Sequence, residues 1–299
     1  MARSDAVSDV DDPGNSFKDF VRPSDMRPRE FGGIALGCIT FMVLFGFSAA
    51  PDSDSGMSQF RQLARGVHIY AVDHDGVYPL AMAYEAGANR WLPNKRIEAP
   101  AGLMRDTAPE MRASYAAAWV NSVAPYWPAE DVLVIAGAPT APPYIKLEDT
   151  LRAPWRVGVT YNGYLHRYNR NLVEHPELVP LVWTGLGRAT AEGFASSSPG
   201  LDCMMLMQAE CIFNPKPNGF ATARTMMFMA LGPAAAFDGA MVFGMGDGSA
   251  KRVEPHLKQE AFLSEVDPWA TYIPDGKPTS YFNDSQGYAP IFRPDRKPN

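Results

Sequence analysis

The longest apolar stretch of the chain covers residues 31–50, which carry no charge and only two side-chain hydroxyls, those of Thr40 and Ser48. A helix of this length spans roughly 30 Å, the thickness of the hydrocarbon core of a bilayer. A helix is also the only structure in which one isolated segment satisfies its backbone hydrogen bonds in lipid. A cleaved signal peptide would have a shorter apolar stretch that begins closer to Met1. The pattern therefore predicts a transmembrane helix over residues 31–50.

The charges on either side of this stretch predict its orientation. Basic residues precede it and acidic residues follow it: Lys18, Arg22, Arg27 and Arg29 before, Asp52 and Asp54 after. Because basic residues near a membrane stay in the cytoplasm, residues 1–30 should form a cytoplasmic tail. This tail has no amphipathic period and should lack a fixed structure when it is free. We thus expect a single-pass protein of the cell inner membrane whose main domain is periplasmic.

Small residues in the apolar stretch predict contacts inside the membrane. Gly33 and Gly37 form a G-x-x-x-G pair, which allows two helices to approach closely. The expected partners are therefore integral membrane subunits and lipid.

An amphipathic helix is predicted directly after a short break at residues 51–56. Apolar residues recur there at steps of three and four, at Met57, Phe60, Leu63, Val67 and Tyr70. Gly76 suits a left-handed helix cap, and Pro79 prevents continuation of the helix.

The remaining pattern predicts one more long helix and several short strands. The helix covers residues 109–123, and a short late helix covers 257–263. The strand candidates are residues 132–135, 157–161, 178–183, 204–207, 226–231 and 241–245. The resulting fold class is α+β, in which the amphipathic helix packs on an antiparallel sheet within an exported domain of residues 51–276. Residues 277–299 form an extended, polar, proline-rich C-terminal tail without a core of its own, a feature typical of segments that dock onto an assembly.

Composition narrows the possible functions. The chain has 27 basic and 33 acidic residues, and we expect no nucleic-acid partner because that would require a basic patch. Proline (27) and glycine (25) are frequent enough to predict long loops.

Cys38 lies in the apolar stretch, whereas Cys203 and Cys211 lie in the exported part, where an oxidising compartment would allow a disulfide. Two buried thiols are the alternative.

No motif for catalysis or for a cofactor is present. The chain contains no G-x-S-x-G, no G-x-G-x-x-G and no P-loop. Asp73 and Asp75 beside Gly76 could suggest calcium, but an EF-hand loop needs further oxygen ligands, so turn chemistry is the better interpretation. Methionines near residues 204–207 and 226–229 are more typical of core strands than of a copper site. We therefore predict no enzyme, no cofactor, no metal and no small-molecule substrate.

Three segments of the exported part share one further pattern. The helix ends in Tyr70-Ala71-Val72-Asp73-His74-Asp75-Gly76, a second segment reads Tyr161-Asn162-Gly163-Tyr164, and Asp247-Gly248 lies between two apolar runs. Together they resemble the pseudopilin-like proteins that carry a prepilin-type N-terminus and a C-terminal His-x9-Asp-Gly element. The resemblance implies a pilin-like fold. Independently, Asp-Gly between apolar alternations predicts a hairpin turn.

Two family features are absent. Phe237 occupies the position of the family's histidine, and Cys38 occupies the position of the assembly glutamate if Gly33 is the cleavage glycine. The resemblance therefore implies an uncleaved, membrane-bound relative of pseudopilins. The expected function is that of a non-catalytic structural or accessory subunit of a larger photosynthetic, respiratory or secretion complex. A working pseudopilin of a type II secretion or fibre system and an exported carbohydrate-binding or enzymatic domain are the alternatives.

Overall fold

The structure, a computed structural model, describes residues 53–93, 95–136, 138, 140, 146–185, 190–203, 211–214, 222–224, 241–253, 271–272, 278–279 and 289–298. Within these ranges, no helix combines the length and the apolar character that a bilayer span requires. The predicted tail 1–30, the predicted membrane helix 31–50 with Gly33 and Gly37, the strands predicted at 204–207 and 226–231, and the helix predicted at 257–263 lie outside the described residues.

The described α-helices all lie in the first half of the chain, and most of the described strands follow them. The α-helices are α1 (Ser53–Asp73), α2 (Pro109–Ala117) and α3 (Trp119–Ser122). The strands are β1 (Ala83–Glu85), β2 (Arg90–Leu92), β3 (Ile97–Glu98), β4 (Arg156–Val157), β5 (Thr160–Tyr161), β6 (Pro180–Trp183), β7 (Ala191–Glu192), β8 (Phe194–Ala195), β9 (Gly200–Asp202), β10 (Thr222–Arg224), β11 (Met241–Met245), β12 (Ala250–Val253), β13 (Thr271–Tyr272) and β14 (Pro278–Thr279). Single 3₁₀ turns connect many of them, including Glu130–Leu133, Gly163–Leu165, Arg170–Leu172 and Pro290–Phe292.

Helix α1 follows the predicted apolar period closely. Phe60, Leu63 and Val67 are fully buried along one face. The helix begins at Ser53, inside the predicted break at 51–56, and polar residues such as serine are favourable at a helix start. It ends as predicted, with Gly76 at φ +78° and its backbone N–H donating to the Ala71 carbonyl at 2.7 Å.

The central sheet is antiparallel and has the strand order β12-β11-β6-β5. Gly244 pairs with Val182, which in turn pairs with Tyr161, so these three residues share one face. Helix α1 covers that face: a Cβ placed on Gly244 would lie 2.6 Å from the Phe60 carbonyl oxygen. The α+β class and the packing of the amphipathic helix on an antiparallel sheet were therefore predicted correctly.

Three predicted elements differ from the structure. The single strand predicted over 157–161 is divided into β4, which pairs with β7, and β5, which pairs with β6 in the central sheet. Residues 130–133 form a 3₁₀ turn where a strand was predicted over 132–135. The helix predicted over 109–123 is interrupted at Ala118, which is extended at ψ 154°. The interruption has a tertiary cause, because Ala118 forms a bridge with Leu80 and the next backbone N–H, that of Trp119, donates to the Leu80 carbonyl at 2.8 Å.

The other face of the sheet is covered by the end of the chain. Ala289, Ile291 and Phe292 are buried, and Phe292 packs against Trp183 and Phe243 with ring centroids 5.2 and 6.1 Å away. The predicted tail 277–299 thus has a core contact in its described final part, where the sequence led us to expect none. The reason is that Ile291 and Phe292, two large apolar residues of this segment, pack against an aromatic surface.

Candidate functional site

The residues singled out from the sequence motif lie in three places. One group caps the end of α1, a second forms the turn after β5, and a third forms the turn between β11 and β12. The first group is Tyr70, Asp73, Asp75 and Gly76, the second is Tyr161, Asn162, Gly163 and Tyr164, and the third is Asp247 and Gly248.

The turn after β5 connects the sheet to the C-terminal tail. The buried Asn162 side chain donates from Nδ2 to the carbonyl oxygens of Pro180 and Phe292, both at 2.8 Å. Its Oδ1 accepts from the backbone N–H of Tyr164 at 3.0 Å. All the polar atoms of this side chain are therefore used in holding strand β6 and the tail together.

Gly163 and Tyr164 complete this connection. A Cβ on Gly163 would lie 2.3 Å from the Pro199 carbonyl oxygen, to which the Gly163 backbone N–H donates at 2.8 Å. The Tyr164 hydroxyl accepts from the backbone N–H of Ala289 at 2.9 Å. The geometry of this motif segment is thus that of a structural connector rather than that of an open site.

The cap of α1 is joined to the loop around Arg170. The Arg170 backbone N–H donates to the Gly76 carbonyl at 2.8 Å, and its Nη1 lies 3.3 Å from Nε2 of His68. Burial lowers the pKa of His68, and the Arg170 guanidinium lowers it further, against a smaller opposing effect of a hydrogen bond with the backbone of Gly246. His68 is therefore a neutral ring that joins α1, the Arg170 loop and the hairpin.

The hairpin turn forms as the Asp-Gly pair predicted. Gly248 lies at φ +82°, and Asp247 Oδ1 accepts from the backbone N–H of Ser249 at 2.9 Å. The Met245 backbone N–H donates to the Ser249 carbonyl at 2.8 Å, which closes the turn.

A shallow cleft of about 450 Å³ lies between α1 and this turn. Helix α1 contributes Arg61, Arg65, His68 and Ile69 to its lining, and the turn contributes Asp247, Gly248 and Ser249. Only Asp247 and Gly248 belong to the motif identified in the sequence. The helical period places Arg61 and Arg65 on the outer side of α1, but nothing in the sequence indicates that the hairpin turn lies beside them.

The most strongly perturbed histidine, His166, was not singled out from the sequence. It is fully buried, and its Nδ1 accepts from the backbone N–H of Ala81 at 3.0 Å. Burial, together with the neighbouring Arg167, lowers its pKa to about 3. Its ring meets Trp91 at 85° with the centroids 4.3 Å apart. A lone histidine in a polar loop gives no periodic signal, so only the packing reveals this role.

We expect His166 to make stability depend on pH. Its folded pKa lies below the unfolded value, so the unfolded chain binds more protons between about pH 6.5 and pH 3. The contribution of His166 to the free energy of unfolding is complete above this window. It falls with decreasing pH by at most about 1.4 kcal/mol per pH unit.

Unfolding measured between pH 4 and pH 7 tests this expectation. His166→Asn keeps an acceptor for Ala81 and should have a flatter pH dependence than the wild type, and His175→Asn, at a partly exposed site, is the comparison variant. Equal slopes for His166→Asn and the wild type would contradict the assignment.

The structure also describes the residues considered as a calcium site and the two cysteines considered as a disulfide. In the described part of the chain, no group of three or more His, Cys, Asp or Glu residues could hold a metal ion. Asp75 adopts φ +54° in the cap of α1, which fits its interpretation as a turn residue. Cys203 and Cys211 lie at disulfide distance, with their Cα atoms 5.6 Å apart, and both are buried. The predicted pair is thus confirmed as two cysteines at disulfide distance.

No known relative helps to interpret these three groups of residues. Comparisons of the chain with protein-family models, with curated proteins and with solved structures found no match.

Proposed function

We propose that the chain is a non-catalytic, single-pass membrane protein that serves as a structural or accessory subunit of a larger membrane complex, with its main domain in the periplasm. The observation that carries this proposal is the outer face of α1. Ile69 and Val72 are 47% and 56% exposed there, although the opposite face of the same helix is fully buried. Because they are three positions apart on one helix face, Ile69 and Val72 form a contiguous apolar patch, and contiguous exposed apolar patches mark surfaces that contact a partner.

The positions of the perturbed ionisable groups also support a non-catalytic role. Strongly shifted pKa values usually mark clefts where a group acts on a substrate. Here the largest shifts belong to His166 and to Tyr161, whose pKa burial raises well above its ordinary value, and both side chains are sealed in the core. Asn162 is likewise occupied by structural hydrogen bonds.

The membrane part of the proposal rests on the apolar residues 31–50 and on their distance along the chain from α1. Helix α1 begins at Ser53, three residues after the stretch ends, and packs on an antiparallel sheet. An amphipathic helix of this kind following an apolar segment agrees with the pseudopilin resemblance. The partners we propose are integral membrane subunits and lipid.

Isolation of the full chain from its native membranes in mild detergent tests the proposal. We expect the chain to migrate with other subunits, and a free monomer would exclude this function. The double variant Ile69→Asp/Val72→Asp should reduce co-migration at least about tenfold, because each buried apolar side chain at an interface contributes roughly 1.5–3 kcal/mol. Leu151→Asp is a matched control, because Leu151 is 51% exposed but lies away from α1 in sequence.

A working pseudopilin is the second candidate function, because the helix-on-sheet arrangement and the Asp-Gly hairpin agree with that family. This function requires processing near Gly33. The intact mass of the protein from native membranes separates the two functions: a chain that retains Met1 supports the accessory subunit, and a chain that begins near residue 34 supports the pseudopilin.

A further inference from the structure

The cleft between α1 and the β11–β12 turn has an unusual charge arrangement for an acidic protein. Arg61 and Arg65 are exposed, lie one helical turn apart and line the same cleft. In the described ranges, neither guanidinium forms a hydrogen bond or an ion pair. Many other arginines of the domain do, namely Arg90, Arg112, Arg170, Arg293 and Arg296. Two adjacent, uncommitted guanidinium groups therefore face a common space.

The neighbouring residues fix the walls of this cleft. His68 is held on one side by Arg170 and on the other by the backbone of Gly246, and its lowered pKa leaves it neutral. Arg170 itself does not line the cleft. The turn approaches the stem of Arg65, since a Cβ on Gly248 would lie 3.7 Å from Arg65 Cγ. This contact supports the stem and leaves the guanidinium group outside it.

One carboxylate opposes these positive charges. Asp247 lines the same cleft, but its Oδ1 already accepts from the backbone N–H of Ser249. Two guanidinium groups against one carboxylate leave the lining of the cleft positive, and Ile69 adds an apolar side chain to it. A volume of about 450 Å³ falls within the range of small-ligand sites.

We propose that this cleft binds a phosphate group, with Arg61 and Arg65 as its two ligands. A guanidinium fork pairs with two oxygens, so one fork is sufficient for a carboxylate, whereas two neighbouring forks match the additional oxygens of a phosphate. The group can come from the headgroup of an anionic phospholipid or from a soluble phosphate, and the experiment below separates these sources. The inference concerns a ligand of the described domain and requires neither membrane insertion nor a partner subunit. Ile69 belongs both to this cleft and to the apolar face proposed above as a docking surface.

The test uses the full chain in a neutral detergent and follows its thermal unfolding midpoint. The probes are inorganic phosphate, and phosphatidylglycerol added to the micelles, each compared with sodium chloride at equal ionic strength. At ten times its dissociation constant, a bound probe multiplies the folding equilibrium constant by about eleven, which raises the midpoint by roughly 3 °C. We expect at least one probe to do so.

Two double variants decide whether the rise comes from this cleft. Arg61→Gln/Arg65→Gln should weaken phosphate binding at least about tenfold, because charge-assisted bidentate contacts are lost. Arg152→Gln/Arg156→Gln removes two other exposed arginines four positions apart and should bind like the wild type. A rise with phosphatidylglycerol alone assigns the headgroup as the source, and a rise with inorganic phosphate assigns a soluble source. No rise, a rise that persists in Arg61→Gln/Arg65→Gln, or an equal rise with sodium glutamate overturns the proposal.

The variant Asp247→Asn should increase the affinity of the cleft for the probe, a result that damage to the fold would not produce. Asparagine keeps the oxygen that accepts from Ser249 and suits the same turn, but it removes the negative charge beside the phosphate. Affinity for the bound probe should increase by up to about fivefold, the range of exposed charge pairs. Unchanged or weaker binding in this variant would show that Asp247 does not face the ligand and would overturn the assignment of this cleft.

Discussion

Replacement of Gly244 by alanine is expected to destabilise the domain by about 3 kcal/mol, the upper end of the cost of overpacking a core. The ideal Cβ at this position lies 2.6 Å from the Phe60 carbonyl oxygen and 3.0 Å from the Ala64 Cβ. Val182 Cγ2, on the neighbouring strand, would be 2.9 Å away. Phe60 and Ala64 belong to α1, and the Phe60 atom is a backbone atom, so the helix must move away from the sheet as a unit. The added methyl group therefore weakens the packing between α1 and the sheet along the whole interface.

Thermal and urea unfolding of the full chain in mild detergent, followed by near-ultraviolet circular dichroism, would measure this loss. Gly87→Ala is the matched control, because a Cβ on Gly87 would meet no atom within 4 Å. We expect that control to stay within about 0.5 kcal/mol of the wild type. If Gly244→Ala were as stable as Gly87→Ala, α1 would not pack on β11 as closely as described.

Replacement of Phe292 by alanine should cost about 3–5 kcal/mol, the usual range for a buried phenylalanine. Phe292 is 1% exposed and contacts Trp183 and Phe243 on the face of the sheet opposite α1. Its carbonyl oxygen also accepts from Asn162, so a displaced tail leaves a buried amide without one partner. The loss should therefore exceed that of an isolated apolar contact.

Limited proteolysis and the unfolding midpoint would both report this effect. Phe292→Ala should release the C-terminal segment and expose it to cleavage, whereas removal of residues 297–299, of which Lys297 and Pro298 are exposed, should leave both readouts unchanged. Wild-type stability in Phe292→Ala would mean that the tail does not contribute to the core.

The elements predicted correctly from the sequence are those whose signal is local. The apolar period of α1 recurs from Met57 to Tyr70, and the Asp247-Gly248 pair predicts a turn wherever its flanking strands lie. The short runs gave weaker signals. The run 132–135 is apolar enough for a strand, but its Leu133 carbonyl accepts from the backbone N–H of Gly158 while the segment itself coils into a turn.

The candidate site was predicted only in part for the same reason. Asn162 and Gly163 stood out through a resemblance that remains a prediction, and their role as connectors depends on contacts with Pro180, Pro199 and Phe292. His166 carried no signal, because a buried histidine in a loop has the same local sequence as an exposed one.

The sequence by itself determined where the chain is apolar, where α1 begins and ends within a few residues, and where the hairpin turns. These features depend on interactions between neighbours in the chain. The tertiary structure alone decided that Phe292 closes the second face of the sheet and that Asp247 lies beside Arg61 and Arg65. Such contacts join residues far apart in the chain, and their free energy comes from burial and charge that exist only once the helix has packed on the sheet.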